Sequence, residues 1–309
     1  MCCKIPQQVC GYALVREDEN GMTGKGSSSM YGNQSCRKSA LQEMKEGGTE
    51  EMRLLMIRHG DPDYERDTLT ERGVVEAQAL AACAEKLELG TCYMSPLGRA
   101  VKTASYCLEA TGKTAEIKDW LQEFPPMVDT SLDEEMQAAY PNALKEDGVW
   151  HPHIVWDMMP AYYTRHPELM DPVGWRSSKV AGMSGMAEVY DYVTSSFDEL
   201  LASYGYVREE GGLYRVEKEY PGTVTFFCHF GLTSVLLSHL WNVSPFALLQ
   251  HLVMAPSSVT EVFTEERQKG AAHFRATHIG DISHLTLAGI TPSFHARFCE
   301  VYSREDQRH

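Results

Sequence analysis

The 309-residue chain has no apolar run long enough to span a bilayer, no signal-peptide-like hydrophobic stretch near its start and no Cys-x-x-Cys pair. A membrane span, a secretory leader and the usual zinc or redox cysteine motifs are therefore not expected. It also lacks a basic excess. The formal net charge is −15, which repels nucleic-acid phosphates and anionic membranes, so neither is an expected partner. The nine cysteines are odd in number. Cys2, Cys3, Cys10 and Cys36 lie in the N-terminal stretch, whereas Cys83, Cys107, Cys228 and Cys299 have apolar neighbours. That pattern reads as reduced thiols used as small core residues in a cytoplasmic protein. Cysteine phosphatase chemistry needs an arginine six residues after the nucleophile, but Ser234 stands six beyond Cys228.

Composition is otherwise that of a globular protein, 43% hydrophobic and 23% charged. Residues 1–51 contain Gly24-Lys25-Gly26-Ser27-Ser28-Ser29 and no sustained periodicity, and read as a flexible N-terminal tail. Met52 directly precedes the first strand, so a start there, with residues 1–51 dispensable or untranslated, is the expectation. Residues 52–309 form the expected α/β domain.

Leu54-Leu55-Met56-Ile57 and Val224-Thr225-Phe226-Phe227-Cys228 are short continuous apolar runs of the kind that form central parallel strands. Each ends at a histidine, His59 and His229, followed within two residues by Gly60 or Gly231. Ligands of open α/β sheets bind beyond the carboxyl ends of the strands, so the two histidines are expected to share one site. Arg58 makes that site anion-seeking.

Between them the order is β-α-β-α-β. Thr70 caps a helix with Ala77, Leu80, Ala81, Ala84 and Leu87 on its apolar face. A strand at 91–94 follows, then a helix that Ser95 caps and Pro96 opens, and a third strand at 115–118. Residues 124–175 hold seven of the 14 prolines and three of the five tryptophans, which excludes regular sheet or a long helix. Residues 124–215 read as a lid-like insertion, ending in a helix at 187–204 and a hairpin near Gly211-Gly212. A helix at 232–241, a short one after Ser244-Pro245, and closing strands at 258–264 and 273–278 complete the expected fold. The fold class is α/β, a mostly parallel central sheet flanked by helices on both faces.

Phosphate-monoester hydrolysis is very slow uncatalysed. An imidazole can divide it into two steps if its attacking nitrogen is unprotonated and the other nitrogen donates to a carbonyl or carboxylate. Charge on the transferring group must be neutralised, and one placed donor contributes roughly 3–4 kcal/mol. Arg58, Arg99 and His229 are the candidates for that role. A carboxylic acid must protonate the leaving oxygen. Glu123, after the third strand and at the mouth of the insertion, is the candidate, with Glu116, Asp119 and Asp129 as alternatives.

Leu55-Met56-Ile57-Arg58-His59-Gly60 resembles the signature of the histidine phosphatase superfamily, which includes the phosphoglycerate mutases. Asp67-Thr68-Leu69-Thr70-Glu71-Arg72-Gly73 through Gln78 is similar to its second block. Ser95-Pro96-Leu97-Gly98-Arg99-Ala100 through Ala104 resembles the third, and Cys228-His229-Phe230-Gly231 the fourth. The resemblance covers roughly 53–125 and 220–264. It implies His59 as nucleophile, Arg58, Arg99 and His229 on the phosphoryl group, and Glu123 as proton donor. Phe230 departs from the pattern, because family members usually carry a small residue there.

The expectation is a metal-independent, histidine acid-type phosphomonoesterase that acts on a small phosphorylated metabolite through phosphohistidine, with no cofactor. A phosphomutase and a catalytically silent phospho-ligand binder share the same blocks and remain alternatives. His151-Pro152-His153 lacks the ligand pattern of a metal site and fits lid packing or substrate contact better. His278, Asp281 and His284 read as a satisfied turn. Asp61-Pro62-Asp63 imitates the paired aspartates of another phosphatase fold, but Arg58-His59-Gly60 stands where the first aspartate should leave its strand. Neither the substrate nor the oligomeric state is legible.

Overall fold

The computed structural model describes residues 51–293 and Ser303. Apart from Glu51, the expected tail of residues 1–51 falls outside the described residues. The fold is α/β. Its central sheet contains β1 (Arg53–Arg58), β2 (Thr91–Met94), β3 (Ala115–Ile117), β4 (Tyr206–Arg208), β5 (Tyr214–Val216), β6 (Thr223–Cys228), β7 (Val259–Gln268) and β8 (Ala271–Asp281). Their spatial order is β3-β2-β6-β1-β7-β8-β5-β4. The half from β3 to β1 is parallel. From β1 outward the pairing is antiparallel, with bulges between β7 and β8.

Side-chain alternation divides the core into two layers. Leu54 and Met56 of β1 join Val224, Phe226 and Cys228 on one face. Leu55 and Ile57 join Phe227, Leu80, Ala104 and Cys107 on the other. The first face is covered by α3 (Met186–Ser203) and α4 (Phe230–Trp241), the second by α1 (Glu71–Ala81) and α2 (Gly98–Thr111). Leu54 through Ile57 are at most 1% exposed. Each such burial is worth roughly 2 kcal/mol, which is why a continuous apolar run, rather than an alternating one, specifies this strand.

Thr70 caps α1 as expected, its hydroxyl accepting from the Gly73 amide. Gly73 is needed for a second reason. A Cβ there would lie 2.2 Å from the Asp61 carbonyl oxygen, and one at Gly60 would lie 2.7 Å from the Gly73 carbonyl oxygen. The loop after β1 and the first turn of α1 thus pack backbone against backbone. The next turn holds the same loop through buried Glu76, whose carboxylate accepts from the Asp61 amide at 2.9 Å and the Ser293 amide at 2.9 Å.

The start of α2 differs from the sequence reading. The helix begins at Gly98 after Leu97, and Ser95 is not its cap. Ser95 takes its amide bond from β6, donating to the Phe227 carbonyl at 3.0 Å, and its hydroxyl faces another partner described below.

Between β3 and α3 the chain leaves the sheet as short helical turns and a small antiparallel strand pair, Met127–Val128 against His153–Ile154. Phe124, Tyr140 and Trp175 are fully buried in it and continue the first core layer. Residues 124–215 also contain α3, packed on that layer, and β4–β5, the hairpin that turns at 210–212 and forms the sheet edge. Among the described residues, no helix is long and apolar enough to cross a membrane.

Candidate active site

The parallel register brings the two histidines together. Arg58 of β1 pairs with Cys228 of β6, so His59 and His229 are each one residue past paired positions. Their ring centroids are 5.1 Å apart, and the His59 amide donates to the Cys228 carbonyl at 3.1 Å. Met94 of β2 pairs with Phe227, which sets Ser95 beside His229. Three strands therefore deliver three side chains to one sheet edge.

His59 is 1% exposed. Its Nδ1 lies 2.7 Å from the Gly60 carbonyl oxygen. A carbonyl can only accept, so Nδ1 carries the proton and Nε2 keeps its lone pair. Burial lowers the pKa of His59 well below the ordinary imidazole value, and Arg58 and Arg99 lower it further. The ring is neutral at pH 7.

His229 is also buried, and burial together with His59, Arg99 and Arg58 lowers its pKa as well. Its Nε2 is 2.8 Å from the Ser95 hydroxyl, which itself accepts from the Leu97 amide at 3.2 Å. With Ser95 donating its hydroxyl hydrogen to Nε2, the ring hydrogen falls on Nδ1. That buried Nδ1 has no hydrogen-bond partner among the described residues. An anionic oxygen would complete it.

Arg58 ends β1, buried, with its guanidinium donating to the Met254 carbonyl and lying 5.8 Å from the Phe230 ring centroid. Its amide donates to the Ser258 carbonyl, and the His59 carbonyl accepts from Ser257 at 2.9 Å. The loop before β7 thus clamps the end of β1 through its own backbone carbonyls and amides. Arg99, the second residue of α2, bonds Asp67 Oδ1 at 2.7 Å and lies under the Tyr64 ring at 5.4 Å. Asp67 reaches this position from a left-handed backbone (φ 46°) and binds the Gly98 amide with its other oxygen at 2.6 Å. Arg99 Nε is buried without a partner among the described residues.

Glu123 follows the turn at Asp119–Leu121. Its Oε1 accepts from its neighbour Phe124 at 2.9 Å and from Leu232, in the first turn of α4, at 3.1 Å. Burial raises its pKa, and the two amides with Arg58 and Arg99 oppose that rise without overcoming it. The approach of Glu123 to α4 requires Gly231. A Cβ there would stand 2.8 Å from Glu123 Oε1 and 2.8 Å from the ring edge of Trp156.

The alternative acids are placed differently. Glu116 pairs with Lys118 at 2.7 Å, and Asp129 is half-buried and caps Ser131. Asp119 lines a cavity of about 570 Å³ that also reaches Arg99, Glu123, Tyr64 and Trp156. Phe230, the departure from the family pattern, is buried with its ring centroid 6.1 Å from that of Trp156.

The remaining candidates are satisfied elsewhere. His153 bonds Asp157 at 2.6 Å, His151 faces Asp147, His278 faces Glu261, and His284 bonds Ser257 at 2.9 Å. Among the described residues, no group of three His, Cys, Asp or Glu could hold a metal ion. Ser95, Asp67, Tyr64 and Trp156 were not identified as site residues from the sequence.

Comparison with solved structures finds chains of limited similarity. A protein described as mycobacterial hydrolase 1 is 21% identical, with 75% of this chain and 99% of that one covered and a TM-score of 0.48. A mycobacterial glucosyl-3-phosphoglycerate phosphatase bound to inorganic phosphate is 20% identical, with 75% and 98% covered and a TM-score of 0.49. A phosphoserine phosphatase from Entamoeba histolytica, in complex with 3-phosphoglyceric acid, is 18% identical, with 76% and 99% covered and a TM-score of 0.46. No curated protein matches the chain. The family model of the histidine phosphatase superfamily (branch 1) matches residues 54–159, the stretch that carries Arg58, His59, Arg99 and Glu123. The chain's resemblance to the histidine phosphatase superfamily, read first from four short blocks, is thus also found by the model of that family.

Proposed function

We propose that the protein hydrolyses a small phosphorylated metabolite through a phosphohistidine on His59, with no metal ion and no cofactor, in the cytoplasm. The observation that carries this reading is the state of His59: buried, neutral, and held through Nδ1–H on the Gly60 carbonyl so that Nε2 is left as a nucleophile.

In the first step Nε2 attacks phosphorus and the bond to the leaving oxygen breaks. Glu123, whose raised pKa favours its acid form, gives its proton to that oxygen. In the second step a water attacks phosphorus, Glu123 takes the water proton, and the P–N bond breaks to release phosphate. Throughout, Arg58, Arg99 and the Nδ1–H of His229 bind the phosphoryl oxygens. Three such donors contribute about ten kcal/mol at the values usual for placed hydrogen bonds. Arg99 Nε and His229 Nδ1 are the buried polar atoms whose bonding such an oxygen would complete.

A phosphomutase would use the same first step and return the phosphoryl group to a second hydroxyl. The apolar walls of the adjoining cavity favour release to water, because they offer little to orient a polyhydroxylated acceptor. The test is phosphate release from phosphomonoesters in EDTA by the full chain and by His59→Ala. Release by the first and not by the second is expected. Isomerisation without net phosphate release would support the mutase, and binding without either would support a silent binder.

A further inference from the structure

The cavity beside Glu123 bears on the alcohol half of the substrate. Its volume of about 570 Å³ lies within the range of small-molecule pockets and exceeds what a phosphoryl group needs. Its walls include Tyr64, Leu97, Trp120, Met127, Trp156 and Tyr192. Arg99 is the one cationic side chain among the described residues that line it, and Asp67 already holds that guanidinium at 2.7 Å. Asp119 adds an exposed carboxylate at the rim.

The two tryptophan walls are braced. The Trp120 ring is 6.0 Å from both Phe197 and Phe226, centroid to centroid. Trp156 meets Phe230 nearly edge-on, and its carbonyl accepts from Gln250 at 2.7 Å. Such preformed apolar surface favours a flat ring and, among the described residues, gives a second anionic group no spare cation to pair with.

Building on the phosphatase reading, we infer that the substrate is a phosphomonoester of an uncharged aromatic or similarly apolar alcohol, whose leaving group sits between Tyr64, Trp120 and Trp156, and that esters bearing a carboxylate on the alcohol are excluded. The selection comes from two features together: no spare cation to meet a carboxylate, and Asp119 at the rim to repel one.

Two measurements on the full chain separate this inference from the phosphatase reading. The first compares kcat/KM for 2-naphthyl phosphate and its 6-carboxylate counterpart, by phosphate release. The second compares Kd for the corresponding non-hydrolysable phosphonates, by quenching of tryptophan fluorescence. The neutral aryl compound should lead at least tenfold in Kd, and in kcat/KM wherever there is turnover. Asp119→Lys should cut that preference at least threefold. Equal or reversed preference, or failure of both phosphonates to bind, would overturn the inference. Phosphate release without preference for the neutral alcohol would overturn the inference and leave the phosphatase reading standing. Preferential binding of the neutral phosphonate without phosphate release from any ester would overturn the phosphatase reading and the claim that these esters are substrates, and leave only the selectivity of the pocket.

Discussion

Gly231→Ala tests how closely Glu123 is placed. The added methyl would lie 2.8 Å from Glu123 Oε1 and from the Trp156 ring edge, with no backbone atom among its three nearest neighbours. Carbon contacts normally settle near 3.5–4.0 Å, so the carboxyl and the ring must each retreat by roughly half an ångström or more. Both are ends of side chains, and the fold can absorb the shift. Alanine also gains about 1 kcal/mol over glycine in a helix, which offsets the crowding, so the melting temperature should stay within a few degrees. Catalysis should not be spared. General acid catalysis is typically worth 10²–10⁴-fold, and a misplacement of about 1 Å costs roughly 10²-fold. The expected outcome is a 10- to 100-fold fall in kcat for an alkyl phosphate, whose leaving oxygen needs the proton. For para-nitrophenyl phosphate, which barely needs it, the fall should be under about fivefold. Steady-state phosphate release on both esters, with thermal unfolding as the control, is the assay. Unchanged turnover of the alkyl ester in a folded variant would refute the placement of Glu123 as proton donor.

Glu123→Gln should slow alkyl esters about 10²-fold or more, and should remove the alkaline limb of the wild-type rate profile. The sign follows from the raised pKa: the acid form is active, so the rate falls as pH rises through the folded value, above the ordinary carboxylate range. An alkaline limb that survives in the variant would assign it to another group. Ser95→Ala removes the hydroxyl 2.8 Å from His229 and should lower kcat about tenfold, with stability reduced by about 1 kcal/mol; an unchanged kcat would detach Ser95 from the site. Glu76→Gln turns an amide N–H toward one of two backbone N–H groups, Asp61 or Ser293, and should cost roughly 1–3 kcal/mol in urea unfolding. No loss of stability would show that the buried carboxylate is not what holds the loop after β1.

What the sequence disclosed, and what it hid, follows from the physics of each contact. His59 and His229 were legible because an apolar strand run and the residue ending it are local patterns, and parallel register then makes two such ends neighbours. Ser95-Pro96 was misread, because a serine before a proline has the composition of a helix cap whether its hydroxyl serves the helix or a histidine 134 residues away. Asp67 was quoted within a family block, yet its pairing with Arg99 depends on a left-handed turn that composition does not announce. Glu76 was hidden by the expectation that carboxylates on an amphipathic helix face solvent; here two backbone amides hold it inside. The loop before β7 works through carbonyls and amides, which every residue has, so no side-chain signal marks it. Trp156 lies in a segment without periodicity, and its approach to Gly231 and Phe230 shows which way it faces.

The most direct test of the account is chemical capture of the intermediate. Enzyme mixed with an aryl phosphate and quenched in alkali within milliseconds, then digested and analysed by mass spectrometry, should carry an acid-labile phosphoryl group on the His59 peptide. The same peptide from His59→Ala should carry none. A phosphoryl group on another residue, or turnover with no labelled protein at any quench time, would contradict the account.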